Sequence, residues 1–136
     1  PASCAYRPPI ETPRPRIHGL VNAVIEGPDG GAPDLDDEGR YTARFAFDLD
    51  GPQAGAASQR IRMMQPHGGE RYGMHFPLRA GVEVLVAFVD GDPDRPIIVG
   101  AAPNTATPSP VDASNRRMNK LKTASGCVLE IFDGDA

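Results

Sequence analysis

Three aspartates at alternate positions, Asp90, Asp92 and Asp94, form the part of the sequence that most resembles a metal site. Hard cations such as Ca²⁺ prefer oxygen ligands, and closely spaced carboxylates can supply several of them. However, Pro93 and Pro96 stiffen this segment, and the bidentate glutamate of an EF-hand loop is absent. The pattern therefore favours a structural turn over a calcium site.

The other groups with metal-ligand chemistry offer no better site. One is an acidic run that is typical of a solvated loop: Asp34, Asp36, Asp37 and Glu38. The histidines, which lack the i, i+4 spacing of a helical zinc site, are His18, His67 and His75. The two cysteines lie near opposite ends of the chain, at Cys4 and Cys127, and a disulfide between them is possible. Two isolated cysteines form no disulfide framework, so we expect unpaired thiols. From the spacing of all these groups we expect no bound metal and no cofactor.

The serines lack the surroundings of an activated nucleophile. None of them stands in a Gly-x-Ser-x-Gly sequence: Ser58, Ser109, Ser114 and Ser125. A hydrolase with paired carboxylates stays open, because spatial pairing is not visible in a sequence. We expect no catalytic residues and no enzymatic activity.

Two features suggest nucleic-acid or phosphate binding. The loop from Gly68 to Gly73 is glycine-rich, but no helix follows it to provide an N-terminus, so the glycines are better explained by positive φ angles. A possible basic strip with aromatic neighbours comprises Arg60, Arg62, Arg71 and Arg79 with Tyr72 and Phe76. The net charge of −4 argues against nucleic acid, and an acidic loop of a second subunit is the better partner for this strip.

Composition indicates short strands joined by many turns. The chain has 136 residues, which favours a single domain, and contains 15 glycines and 15 prolines, which disrupt long helices. No apolar run is long enough to span a membrane. The chain begins without methionine or a signal sequence, and its end follows a strand-like run, so we expect a piece of a longer protein.

Alternating apolar residues predict five strands, at 17–26, 40–48, 59–65 and 82–89 and from 95 onward. In the second, one face comprises Tyr41, Ala43, Phe45 and Phe47, and the other comprises Thr42, Arg44 and Asp48. In the third, Ile61 and Met63 point inward. Residues 66–81 are predicted to form a loop.

The predicted fourth strand is apolar on both faces. Val82, Val84, Val86 and Phe88 share one face, and the opposite face comprises Leu85, Ala87 and Val89. A small barrel buries only one face of each strand. The outer face is therefore expected to meet a neighbouring subunit or the next domain.

The turn between the last two predicted strands, Asp90-Gly-Asp-Pro-Asp-Arg-Pro96, is more specific than turn formation requires. It resembles the OB-type barrel of VgrG proteins, the spikes of type VI secretion, and more distantly the baseplate spikes of contractile phage tails. The segments that share this resemblance are Tyr6–Gly19, Val21–Gly27, Phe76–Val84 and Gly100–Asn104. The two tryptophans usual in the family are absent, with Phe47 and Gln59 at the corresponding places, which indicates a divergent member.

This resemblance implies an all-β fold, a five-stranded Greek-key OB barrel followed by the first strand of a trimeric β-helix. It implies an extended proline-rich lead-in at 1–16 from a preceding domain, the barrel at 17–103 and a linker at 104–120. The start of a truncated needle follows at 121–136. We expect Leu121–Phe132 to be a lone strand, frayed or recruited by a neighbour unless partner strands are present.

The resemblance also implies a structural role, in the cell-puncturing spike of a contractile injection machine. The spike is expected to be a homotrimer that caps an Hcp-like tube, carries a tip protein or effectors, and touches the target-cell envelope briefly. It would assemble in the bacterial cytoplasm and then be translocated. The alternatives are a phage or tailocin baseplate spike and, less favoured, an OB module that binds nucleic acid or glycan.

Overall fold

The computed structural model describes residues 7–28, 31–49 and 56–134. Within these residues the regular structure consists of short β-strands and one 3₁₀ turn, as the predicted all-β fold requires. The strands are β1 Leu20–Ile25, β2 Ala43–Phe45, β3 Gly68–Gly69, β4 Tyr72–Gly73, β5 Glu83–Phe88, β6 Pro96–Ala101, β7 Met118–Lys122 and β8 Val128–Phe132. No helix among the described residues has the length and apolar character needed to cross a membrane.

The main sheet closes into a ring. Its strands pair antiparallel in the order β2-β1-β5-β6. The residues around Ile61 and Met63 join the two ends of this sheet, because Ile61 pairs antiparallel with Tyr41 and Met63 pairs parallel with Ile98. Tyr41 and Ile61 exchange both backbone hydrogen bonds, at 2.8 and 2.7 Å. Five chain segments thus surround one interior, as in the OB-type Greek-key barrel.

The barrel interior holds the hydrophobic core. Its fully buried members come from all five segments: Ala23, Ile25, Tyr41, Ala43, Ile61, Val84, Val86 and Ile98. Val84 and Val86 alternate with half-buried residues along β5, which confirms the predicted inner face of that strand. Burial of each large aliphatic side chain stabilises the fold by about 1.5–3 kcal/mol.

The turn between β5 and β6 follows its residue types closely. The 3₁₀ turn Val89–Gly91 places Asp90 and Gly91 at φ angles of 57° and 73°. A side chain at position 91 would also crowd the chain before β1, because a Cβ there would lie 3.2 Å from the Ile17 carbonyl oxygen. The Ile17 amide in turn donates to the Gly91 carbonyl at 2.9 Å, so this turn also anchors the arm that leads into the barrel.

The predicted second and third strands are shorter than expected. Regular pairing in β2 ends at Phe45, because the chain turns there and the Asp48 amide donates to the Phe45 carbonyl at 3.1 Å. Phe47 is consequently 63% exposed and does not continue the inner face. Thr42, expected on the outward face, is buried, and the adjacent Ala43 amide donates to the Ser58 hydroxyl at 3.0 Å.

The predicted third strand, 59–65, forms only the two isolated pairings of Ile61 and Met63. Ile61 is buried and Met63 packs against the core, so their inward orientation is confirmed. The predicted loop at 66–81 contains no helix, and its regular structure is the minimal hairpin of β3 and β4.

The prediction of a lone strand at Leu121–Phe132 is wrong. The segment folds back on itself, and β7 pairs with β8 in an antiparallel hairpin whose register joins Lys120 to Glu130 and Leu121 to Leu129. The β-helix expected beyond it is not shown in these residues. The sequence pattern missed β7 because its residues, Met-Asn-Lys-Leu-Lys, do not alternate between apolar and polar.

Candidate assembly surface

The hairpin of β7 and β8 is the most exposed apolar element of the described chain. A tight turn closes it: the Thr123 amide donates to the Cys127 carbonyl at 2.9 Å, and the Cys127 amide donates to the Thr123 hydroxyl at 3.0 Å. Gly126, at φ 95°, supplies a backbone conformation that residues with a Cβ rarely adopt. Local pairing and this turn therefore hold the hairpin together without a core of its own.

Both faces of the hairpin carry apolar side chains. Alternate residues of a strand point to opposite faces, so Leu121, Leu129 and Ile131 share one face and are 38%, 58% and 57% exposed. The other face carries Val128 and Phe132, 49% and 66% exposed, beside the ion pair of Lys120 Nζ and Glu130 Oε1 at 2.6 Å. Exposed apolar surface of this kind marks a contact site.

The edges of the hairpin are open as well as its faces. Each strand of a two-stranded sheet pairs on one side only, and among the described residues neither β7 nor β8 has a second strand beside it. An open edge is a template for pairing with another chain. The hairpin can thus add strands at either side and bury apolar residues on either face.

A hydrogen-bonded hub fixes the chain where it leaves the barrel. Asn104 donates to Glu83 Oε2, and Asn22 of β1 donates to Glu83 Oε1 at 2.7 Å. The Asn104 Oδ1 atom accepts from the amides of Ala106 and Thr107, each at 2.8 Å. One carboxylate and one amide therefore join β1, β5 and the exit segment that leads to the hairpin.

A groove lies between the barrel and the hairpin, with a volume of about 380 Å³. Leu78 and Val82 line it from the barrel, and Lys122 and Ala124 line it from the hairpin.

A second turn precedes the hairpin, where hydrogen bonds from the hydroxyl and amide of Ser114 lower the pKa of Asp112.

The aspartates of the β5–β6 turn are engaged with the rest of the turn and with the arm. Asp90 Oδ2 lies 3.2 Å from Arg95 Nη1, and Asp92 Oδ2 lies 3.8 Å from Arg14 Nη1. The Asp92 carboxylate also accepts from the Asp94 amide at 3.0 Å. Nowhere in the described ranges do three His, Cys, Asp or Glu side chains group as metal ligands would.

The acidic loop pairs with arginines of its own chain. Asp36 accepts from the Arg40 amide at 2.9 Å and from Arg40 Nε at 2.8 Å, and the backbone bond is the main cause of its lowered pKa. Asp34 lies 3.2 Å from Arg60. Within this chain Arg60 thus has an intramolecular acidic partner, and an acidic loop of a second subunit stays a prediction.

The predicted basic strip is divided between different places. Arg60 and Arg62 line one pocket, and neither Arg71 nor Arg79 contributes to it. Arg79 instead donates to the Gly31 carbonyl at 3.3 Å. In the glycine-rich loop, the Tyr72 ring covers Gly69 so closely that a Cβ at position 69 would lie 2.2 Å from it. That contact explains the glycine sterically.

The sequence did not predict a group of polar contacts around the hydroxyl of Tyr41. Its buried hydroxyl accepts from the Leu78 amide at 3.1 Å and lies 3.4 Å from His75 Nε2. The Gln65 amide nitrogen lies 3.2 Å from His75 Nδ1 and completes the chain of polar contacts. Burial raises the pKa of Tyr41. The only signal was a tyrosine where an inward-facing position would otherwise take phenylalanine.

The remaining candidates are at structural or exposed positions. His18 is exposed, and the His67 ring lies 5.6 Å from the Tyr72 ring. Hydrogen bonds to nearby backbone or polar side chains engage Ser58, Ser109, Ser114 and Ser125. Cys127 is an exposed free thiol in the hairpin turn, and Cys4 lies outside the described residues.

The barrel matches a known family. Residues 34–102, more than half of the chain, match the type VI secretion system/phage-baseplate injector OB domain. The chain is 37% identical over 92% of its length to the type VI secretion system spike protein VgrG5 of Pseudomonas aeruginosa. It is 36% identical over 88% of its length to VgrG4b of the same organism, and 33% identical over 83% of its length to the spike protein VgrG3 of Vibrio cholerae.

These relatives are much longer than the chain, which spans 16%, 15% and 11% of them respectively. The closed ring of five segments and the similarity at the β5–β6 turn agree with this match. The chain therefore belongs to the family of type VI secretion system/phage-baseplate injector OB domains, on the VgrG side of that family.

Proposed function

We propose that this chain is the barrel and the first needle hairpin of a structural spike protein in a type VI secretion machine. The observation that carries the proposal is the apolar hairpin, exposed on both faces, that follows a closed barrel through a hydrogen-bonded exit. A puncturing part needs a rigid shape more than it needs chemistry, and a closed barrel is rigid because all its wall segments are paired. The role is accordingly structural and not catalytic.

The proposed assembly is a homotrimer of the whole protein. Identical chains associate with closed rotational symmetry, and such an arrangement gives each hairpin a neighbour at both of its edges. Leu129, Ile131 and Phe132 are more than half exposed in the single chain. Each would contribute up to about 1.5–3 kcal/mol on full burial between copies. Association therefore supplies the burial that the hairpin lacks.

The proposed partners follow from the role of the spike. It caps a tube built of an Hcp-like protein, carries a tip protein or effectors, and contacts the envelope of the target cell only in passage. It assembles in the bacterial cytoplasm and leaves the cell when the machine fires. Similarity to the spike proteins of two bacteria supports the secretion machine over a phage or tailocin baseplate.

An OB module that binds nucleic acid is the less favoured function. The arginines that would form a basic strip are dispersed, and the chain has a net charge of −4. Filter binding to single-stranded DNA and to a glycan panel tests this function directly. Submicromolar affinity at physiological salt would favour the binding module over the spike.

The assembly is tested with Leu129→Glu in the full-length protein. A charge at this position stops the apolar face from being buried between copies, so we expect a monomer by light scattering and no export of the tube protein. The matched control is Ser125→Glu, which adds the same charge at an exposed residue of the turn between β7 and β8. A wild-type full-length protein that is monomeric would contradict the proposal.

A further inference from the structure

An arginine-lined pocket lies on the barrel wall, outside the surfaces assigned above. It has a volume of about 230 Å³ and is lined by Arg40, Gln59, Arg60, Arg62, Asp94, Arg95 and Pro96. It therefore lies where the start of β2, the segment around Ile61 and the β5–β6 turn meet. We propose that this pocket binds one or two carboxylates of an acidic segment in a partner polypeptide.

The pocket has many more donors than acceptors. Arg60 and Arg62 flank the buried Ile61, so both side chains point away from the core. The Arg62 residue is exposed, and its guanidinium group has no hydrogen bond or ion pair with any residue that the structure describes, although its backbone carbonyl accepts from the Ile98 amide at 3.0 Å. An arginine carries five N–H donors in a planar fork that matches a carboxylate. Arg62 alone thus offers a complete site for one carboxylate.

The other three arginines are held in place and still have donors to spare. Arg40 uses Nε and Nη1 toward Asp36 and Glu38. Arg60 and Arg95 each direct only Nη1 toward an acidic partner. Ion pairs on a protein surface contribute little stability and rearrange readily. These pairs therefore do not prevent the guanidinium groups from binding an added carboxylate.

The ion pairs of these arginines also restrict which kind of anion can bind in the pocket. The carboxylates that pair with the arginines lie outside the pocket lining, in the loop of Asp34 to Glu38 and at Asp90, and the lining itself contains one carboxylate, that of Asp94, beside four arginines. A long polyanion such as nucleic acid would have to pass these acidic groups and would be repelled by them. A short acidic side chain can enter the pocket without contacting the acidic groups around it. The volume is also smaller than the about 300–1,000 Å³ of the pockets that bind drug-sized ligands, and it suits a side chain better.

This inference does not depend on the spike role, because it concerns only the barrel wall. It is tested on the 136-residue chain with a hexaglutamate peptide as the probe, in a calorimetric titration at physiological ionic strength. A glycine–serine peptide of equal length is the negative probe. We expect saturable binding of hexaglutamate only, weakened by added salt because the contacts are ionic.

Three variants locate the site. Arg62→Gln should weaken hexaglutamate binding about tenfold, the factor expected when one charge-assisted hydrogen bond is lost. Arg62→Lys should lose less, because it keeps the charge but not the planar fork. Arg71→Gln is the matched control, because Arg71 is also exposed, its side chain has no hydrogen bond or ion pair with any described residue, and it lies outside the pocket. It should bind like the wild type.

Several outcomes would overturn the proposal. One is the absence of saturable binding by the wild type, and another is an equal loss of affinity in Arg62→Gln and Arg71→Gln. Tighter binding of an oligothymidine than of hexaglutamate would replace the acidic polypeptide by nucleic acid. Inorganic phosphate that competes as well as the peptide at equal concentration would reduce the pocket to a general anion site.

Discussion

Ile61 of the barrel and Leu129 of the hairpin are both aliphatic residues in antiparallel pairings, but their surroundings differ. Ile61 is 1% exposed and Leu129 is 58% exposed. The pairing at Ile61 consists of a single bridge, whereas Leu129 lies in a regular five-residue strand. At Ile61 the barrel thus combines irregular backbone pairing with a fully buried apolar side chain. At Leu129 the hairpin combines regular backbone pairing with an exposed apolar side chain.

This difference separates two sources of order. A two-stranded hairpin in water is marginally stable on its own, so backbone pairing orders the hairpin without stabilising it strongly. The barrel gains its stability from side chains that converge on one interior. The apolar residues of the hairpin stay available for contacts with other chains.

The largest effect is expected when an aliphatic side chain is truncated to alanine in the barrel, compared with the same truncation in the hairpin. Ile61→Ala should lower the free energy of unfolding of the chain by about 2–5 kcal/mol, because it leaves a cavity in the core. Leu129→Ala should change it by no more than about 0.5 kcal/mol, because Leu129 packs on little in the single chain. Urea denaturation followed by circular dichroism measures both.

A large loss of stability from Leu129→Ala would break the comparison, since it would mean that the hairpin packs on the barrel. Slow amide exchange across β7 and β8 in a chain shown to be monomeric would point the same way. The exit segment would then be part of the barrel's cooperative unit.

A smaller effect is expected where the two regions join. Asn104→Ala removes the acceptor of the Ala106 and Thr107 amides and the donor to Glu83. We expect a loss of about 1.5 kcal/mol in the free energy of unfolding, since these three hydrogen bonds are lost and each contributes at least about 0.5 kcal/mol. Hydrogen exchange at the amides of residues 106 and 107 should become faster.

Thr107→Val is the control for this change, because it removes only the hydroxyl that donates to Asn104 at 3.1 Å. It should leave the exchange of both amides nearly unchanged. If both variants accelerate exchange equally, the Asn104 hub does not hold the exit segment, and the barrel and hairpin are joined by other contacts.

The sequence predicted the barrel better than the hairpin, for physical reasons. β5 and β6 were predictable because buried alternation and the Asp-Gly-Asp-Pro turn agree with each other. The extent of β2 was not, since the turn after Phe45 depends on a local backbone bond and not on side-chain alternation. β7 was missed because its partner strand, and not its own composition, decides that it is a strand.

The interaction surfaces were predicted only in part. The apolar residues of β8 are visible in the sequence, but both the pairing with β7 and the exposure of each face depend on the fold. The arginine pocket brings together residues from position 40 to position 95, and no spacing rule connects them. Arg60 and Arg62 were recognised because they alternate around Ile61.

The smallest expected effect concerns two aspartates whose pKa values are lowered, Asp36 in the barrel and Asp112 in the turn before the hairpin. For Asp36 the backbone amide of Arg40 is the main cause, and for Asp112 it is the hydroxyl of Ser114. A carboxyl whose pKa is lower in the folded state contributes stability above its ordinary value of 3.8. That contribution is lost as the pH falls below this value and through the folded pKa.

We therefore expect the urea midpoint of the wild type to exceed that of Asp36→Asn slightly at neutral pH, and the gap to close below pH 3.8. Asp112→Asn should leave the midpoint unchanged at every pH, because Asp112 bonds only to Ser114 and Asn115 in the turn before the hairpin. Urea titrations across this pH range, followed by circular dichroism, measure both differences. If the midpoint of Asp112→Asn also lies below that of the wild type at neutral pH, and this gap also closes on acidification, the turn before the hairpin unfolds together with the barrel and the two regions form one cooperative unit.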